Sequence, residues 1–101
     1  MQLAQKKRLD IFIEAHGLGA IEDMLSACGF KGWSVFEGVE GSGAHGAWRQ
    51  TGVGEQPALL VVAIGAEAAA SAALDWLSLY FAEYPGIVAV ADVTVMRGER
   101  F

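Results

Sequence analysis

Apolar and polar side chains alternate from Leu9 to Glu14, with Leu9, Ile11 and Ile13 on one side and Asp10, Phe12 and Glu14 on the other. A period of two predicts a strand that turns one face to a core. Past Gly17 and Gly19 the period changes. Ala20, Ile21, Met24, Leu25 and Cys28 recur at helical spacing, with Glu22, Asp23 and Ser26 on the far side, which predicts a short amphipathic helix. Gly29 stands where a helix C-terminus favours glycine, and Glu22 and Asp23 fall early enough to meet the positive end of the helix dipole. Gly32 to Gly38 predicts a second strand, with Trp33, Val35 and Glu37 on one face and Ser34 and Phe36 on the other.

From Gly38 to about Pro57 the chain is rich in glycine (38, 41, 43, 46, 52 and 54), with Trp48 and Arg49 its only large side chains near the middle. This predicts a long flexible loop, and such loops in small domains tend to carry function. Ala58 to Ile64 is apolar at every position and predicts a strand buried on both faces. Ala66 to Tyr84 predicts a long helix with a polar stripe of Glu67, Ser71, Asp75 and Ser78. Its packed stripe is Ala69, Ala73, Trp76, Leu77, Tyr80 and Tyr84, and Pro85-Gly86 stops it. Ile87 to Met96, rich in Val and Ala, predicts the last strand.

The order β, α, β, loop, β, α, β is the split βαβ arrangement of the ferredoxin-like α+β fold, a four-stranded antiparallel sheet with two helices on one face. Two helices leave the other sheet face bare, yet the last two strands are apolar on both sides. A second copy of the chain is the expected cover, so an obligate homo-oligomer is expected.

Length and composition narrow the class. The 101 residues are enough for one domain spanning 1–101. With 53% apolar and 19% charged residues, the chain should fold. A net charge of −5 argues against nucleic acid as a partner. Cys28 is the single cysteine and predicts a reducing, cytoplasmic setting. Asp10 and Glu14 interrupt any signal-peptide core after the basic start, and no apolar run reaches the roughly 18 residues of a membrane span.

The segment Gly32-Trp-Ser-Val-Phe-Glu-Gly-Val-Glu-Gly-Ser-Gly-Ala-His-Gly46, the order of elements and the closing Val95-Met-Arg97 resemble the PII signalling proteins. The stretch from Tyr80 to Phe101, with its aromatic turn before Gly86-Ile87 and its arginine-bearing tail, is similar to the PII-like branch associated with carboxysomes and bicarbonate transporters. The resemblance runs from about Leu9 to Phe101 and implies a homotrimer. It further implies a non-enzymatic regulator that reads adenine nucleotides (AMP, ADP, ATP or cyclic AMP), and bicarbonate with them, in clefts between subunits. Such a protein would move its loop to grip a partner such as a bicarbonate transporter. Carried onto this sequence, Gly41, Ser42 and Gly43 at the loop base and Gly86 of the facing subunit's turn would line the cleft. Arg97 and Arg100 would reach the phosphates with their guanidinium forks. His45, Trp48 and Arg49 would face the partner.

One departure bears on this. Relatives that hold phosphates carry Gly-Ser-Arg at the loop base, whereas this chain has Gly41-Ser42-Gly43 and a single loop arginine, Arg49. That favours an alternative, a trimer that has lost nucleotide binding and acts as an interaction scaffold. A small ferredoxin-like enzyme such as an acylphosphatase would need an arginine in the first loop, which His16-Gly-Leu-Gly19 lacks. No nucleophile stands with a base, and no Cys/His cluster stands at metal spacing, so neither a catalytic residue nor a metal is expected. Lys6, Lys7 and Arg8 read as solubilising charges, Cys28 as a buried small hydrophobe, and Glu14, Glu37 and Asp92 as structural or solvent-edge carboxylates.

Overall fold

The computed structural model describes residues 2–49 and 57–101. In chain order the elements are β1 (Leu3–Glu14), α1 (Leu18–Cys28), β2 (Trp33–Glu37), β3 (Glu40–Gly43), β4 (Gly46–Arg49), β5 (Ala58–Gly65), α2 (Glu67–Tyr80) and β6 (Gly86–Met96). Single 3-10 turns stand at Ala15–Gly17 and Gly98–Arg100. The main sheet has the order β2-β5-β1-β6, and its three pairings are all antiparallel. This is the α+β ferredoxin-like arrangement that the order of elements predicts.

The alternation of β1 decides which face is the core. Leu9, Ile11 and Ile13 are buried together with Leu59, Val61 and Ala63 of β5, and both helices close over them through Ile21, Met24, Leu25, Ala69, Ala70, Ala73 and Leu77. Burying one such large aliphatic side chain stabilises the fold by about 1.5–3 kcal/mol. The C-terminus of α1 turns on Gly29, whose φ of 102° lies in the left-handed region. The Gly29 N–H donates to Ser26 O and the Phe30 N–H to Leu25 O, the paired closure of a Schellman motif. It aims Phe30 into the core.

Several boundaries differ from expectation. β1 begins at Leu3, six residues early, because Lys6, Lys7 and Arg8 pair with Val93, Asp92 and Ala91 of the equally long β6. α1 begins at Leu18, so no acidic residue lies in its first turn. Glu22 instead accepts the indole N–H of Trp33 at 2.9 Å and ties α1 to β2. α2 ends at Tyr80. The chain keeps turning to Tyr84, whose N–H donates to Tyr80 O at 2.9 Å, but the residue before a proline resists helical angles. The buried stripe of α2 is Ala69, Ala70, Ala73 and Leu77. Trp76 and Tyr80 are half-buried at its margin, and Tyr84 is exposed.

The expected flexible loop contains the hairpin β3–β4 between residues 40 and 49. Residues 50–56, with Gly52 and Gly54, lie outside the described residues. β5 is buried on its helix side only. Leu60, Val62 and Ile64 on the other side are half-buried in the single chain.

That second sheet face is the structural fact on which the rest turns. The register Phe36↔Leu60, Leu60↔Phe12 and Phe12↔Ile87 lines up one large apolar residue from each of the four strands in a single row. Phe36 is 54% and Ile87 63% exposed. Beyond the row lie Val62 with Ala89 and then Ile64 with Ala91, interrupted only by Ser34 and by Arg8 and Asp10, whose side chains pair at 2.8 Å. An exposed apolar row that crosses all four strands marks an interaction surface.

Candidate functional site

The row Phe36-Leu60-Phe12-Ile87 is also the floor of a concavity of about 590 Å³ at one end of the sheet, a size that suits a small molecule. Its walls come from two loops. On one side the Gly38 N–H donates to Ala58 O at 2.7 Å, closing the base from which β3 and β4 rise. The hairpin ladder sets Glu40 opposite Arg49, Gly41 opposite Trp48 and Ser42 opposite Ala47. The chain turns at Ala44-His45 and uses the positive φ of Gly46, 95°, to do so.

Trp48 folds back over this base. A Cβ at Gly41 would lie 2.7 Å from its Cζ2 and one at Gly38 3.0 Å from its Cη2. The glycines at these two positions are therefore what lets the indole lie on the backbone. On the other side stand Pro85 and Gly86. Gly86 has φ of 143°, and a Cβ there would sit 2.5 Å from both the Phe12 carbonyl and the Phe81 ring, so no larger residue fits.

The charged part of the lining is acidic. Glu14, Glu37 and Glu40 contribute, and no lysine or arginine lines the concavity among the described residues. Glu14 meets His16 Nε2 at 2.8 Å, and Glu40 meets Arg49 Nη2 at 3.7 Å. Both pairs are exposed, and such pairs hold weakly. A phosphate pushed into this floor would meet carboxylates rather than donors.

The sequence-derived site residues fall into two groups. Gly41, Ser42 and Gly86 line the same concavity of one chain. Gly43 lies one position further along β3, outside that lining. His45 is exposed at the hairpin turn, and Trp48 and Arg49 lie on β4, where the indole packs on its own subunit. Arg97 and Arg100 stand at the opposite end of β6 from Gly86. Strand residues rise about 3.3 Å each, so the two ends are on the order of 30 Å apart.

The tail is fixed where it stands. Arg97 takes left-handed angles (φ 59°), Gly98 is pressed on Ala4, and Lys31 Nζ donates to Glu99 O at 2.9 Å. Within one chain the arginines and the concavity cannot share a ligand.

The remaining candidates are structural. Asp92 holds the Lys7 ammonium above its ordinary pKa through a hydrogen bond and its charge. Burial pushes the Cys28 thiol up. Trp76, Tyr80 and Tyr84 stack in a ladder with centroids 5.2 and 4.7 Å apart. Burial, then the neighbouring Tyr84 and Glu14, raises the Tyr80 phenol. Sequence reasoning missed Phe12, Phe36, Leu60 and Ile87 as a shared floor. Phe12 and Phe36 stood out as large apolar residues on the polar side of their strands, whereas Leu60 and Ile87 lie in apolar stretches, and only the register reveals that the four line up.

The sequence matches the family described as nitrogen regulatory protein P-II over residues 6–100. The chain belongs to the PII family. Solved structures agree with the PII fold along its whole length. CPII, a nitrogen regulatory PII-like protein from Thiomonas intermedia K12, superposes with a TM-score of 0.90 at 24% identity, covering 99% of this chain and 96% of that one; it was solved bound to ADP, AMP and bicarbonate. A second CPII structure, bound to ADP and bicarbonate, gives 0.87 at 25% identity, over 99% and 97%. A protein from Thermus thermophilus described as PII-like and signalling gives 0.84 at 26% identity, over 100% and 99%. No curated protein matches the sequence significantly. Among the described residues of this PII chain, no helix is long and apolar enough to cross a membrane.

Proposed function

We propose that this PII-family chain is a non-enzymatic regulator that assembles as a homotrimer and reads an adenine nucleotide at the seams between subunits. The observation that carries the reading is the separation of the site halves. The concavity with Gly41, Ser42 and Gly86 is apolar and acidic, the cations Arg97 and Arg100 lie at the far end of β6, and the bare sheet face between them asks to be covered by another copy.

In a closed ring, one protomer offers the base-and-ribose half of the site and its neighbour offers the phosphate half. Arginine forks suit phosphate oxygens and bicarbonate alike, and CPII supplies the precedent of ADP, AMP and bicarbonate as ligands. Ligand in the seam contacts the base of the β3–β4 hairpin and shifts its population between positions, and the hairpin reports to a partner. That partner is a bicarbonate transporter or another component handling inorganic carbon, reached from the cytoplasm, with the trimer recruited to the membrane through it.

Sedimentation equilibrium and calorimetric titration test this together. A three-chain mass with heat on adding AMP, ADP, ATP or cyclic AMP, with and without bicarbonate, supports it. A stable folded single chain at micromolar concentration would remove it.

A second reading has its own observation. Gly43 leaves the loop base without a cation, and three carboxylates line the concavity. A trimer silent toward all four nucleotides would be a protein-interaction scaffold presenting the hairpin with His45 and Arg49.

A further inference from the structure

The hairpin β3–β4 forms a two-stranded sheet of its own, apart from the main one. Two-stranded hairpins are marginal in water unless something packs them down. Here Trp48 does so. Its indole lies across Gly41 and its tip reaches Gly38, whose N–H donates to Ala58 O at the start of β5, so the indole fastens β4 to the base of the hairpin.

The indole is nevertheless not consumed by this contact. Trp48 remains 41% exposed and lines the concavity, across a floor that includes the aromatic rings Phe12 and Phe36. The concavity therefore has a flat aromatic wall, an apolar floor and carboxylates that repel anions but accept N–H and O–H donors. A planar heteroaromatic ring with an exocyclic amine fits that chemistry, and its phosphates would point outward, away from Glu14, Glu37 and Glu40.

We infer that Trp48 is the residue that binds the ligand's ring, stacking on it from the hairpin side, so that ring occupancy and hairpin position are coupled through one side chain. This rests on the nucleotide-sensing reading above and adds to it the residue that links binding to the moving element. A ring that stacks on Trp48 favours the fastened hairpin. A chain whose hairpin is pulled away by a partner loses the wall and with it the ligand. The glycine at position 41 is part of the device, because any Cβ there displaces the indole.

The test is titration of the intact trimer with ADP and with adenosine, which lacks phosphate, in wild type, W48A, W48F and G41A. Sedimentation confirms assembly of each. Stacking on an aromatic side chain supports a loss of about tenfold or more in W48A. G41A, which keeps the indole but moves it, loses affinity similarly, and W48F retains most of it. Adenosine suffers the same proportional loss as ADP. Indole fluorescence changes on ligand addition in wild type and not in W48F, which keeps Trp33 and Trp76. Equal affinity of wild type and W48A for both ligands, or an undiminished fluorescence change in W48F, overturns the inference and leaves nucleotide sensing standing. A wild-type trimer that binds neither ligand removes both.

Discussion

The Phe30 ring lies so close over Gly65 that a Cβ at that position would sit 2.7 Å from its Cδ1 and Cε1. Gly65 ends β5 and Phe30 follows the left-handed turn of α1, so this contact joins the two halves of the fold across the core. Phe30 is itself buried and has no solvent side into which to retreat. G65A is therefore expected to cost about 1–3 kcal/mol by overpacking. F30L, by shortening the ring's reach, should be better tolerated in the G65A background than in the wild type. Urea titrations of the two single variants and the double variant measure the coupling, and simple additivity would contradict the contact.

How far the sequence speaks can be judged from such pairs. Periodicity found β1, α1 and α2 because each buries one face, and Gly29 marked the end of α1 because only the left-handed region closes that turn without strain. Periodicity could not find the start of β1. Lys6, Lys7 and Arg8 are in a strand because β6 pairs with them, a relation between residues at opposite ends of the chain. The hairpin escaped for a similar reason. Half of its strand residues are glycine or alanine, which carry no alternation, and its one anchor, Trp48, packs on backbone that presents no side-chain pattern. Gly41, Ser42 and Gly86 converge because the register of four strands brings both loops to one end of the sheet, and no local signal states a register.

The bare face makes a sharp prediction about assembly. Leu60 is half-buried in the single chain and sits at the centre of the row between Phe36 and Phe12. L60D places a carboxylate where one chain can still hydrate it but a covered face cannot, and an unpaired buried charge is strongly disfavoured. The expected outcome is a folded protein, judged by circular dichroism, that sediments at the mass of one chain where the wild type sediments at three. A variant that remains trimeric would show that the neighbour leaves Leu60 open on the floor of the concavity.

Cys28 gives a pH dependence with a definite sign. Burial raises its thiol above the ordinary value of 9.0, so the folded chain holds this proton more tightly than the unfolded chain does. Its contribution to stability is full below the unfolded pKa and is lost as pH climbs through the folded one. The same shift lowers the thiolate fraction, which is the species that alkylates. Iodoacetamide in mildly alkaline buffer should modify the native protein several-fold more slowly than the urea-unfolded chain, as read by mass spectrometry. C28A should remove the corresponding loss of stability at alkaline pH. Equal rates in the two states would mean that the thiol is more open than the fold implies.

The tail arginines offer a test of the seam that is independent of Trp48. Arg97 and Arg100 are held on a 3-10 turn by Lys31 at the Glu99 carbonyl and by Lys6 at the Phe101 carbonyl, far from their own chain's concavity. If they supply the phosphate half of a site completed between subunits, R97A/R100A should weaken ADP by about tenfold or more, given the strength of charge-assisted bonds to phosphate. The same pair of substitutions should leave adenosine almost unchanged, because that ligand has nothing for a guanidinium to grip. Mixing gives the decisive arrangement. Refolding R97A/R100A chains with S42F chains, in which an exposed lining position of the concavity carries a bulky ring instead, creates trimers in which some seams combine an intact concavity with an intact neighbouring tail. Calorimetry should then recover part of the ADP binding that neither variant shows alone. No recovery in verified mixed trimers would place the arginines outside the nucleotide's reach.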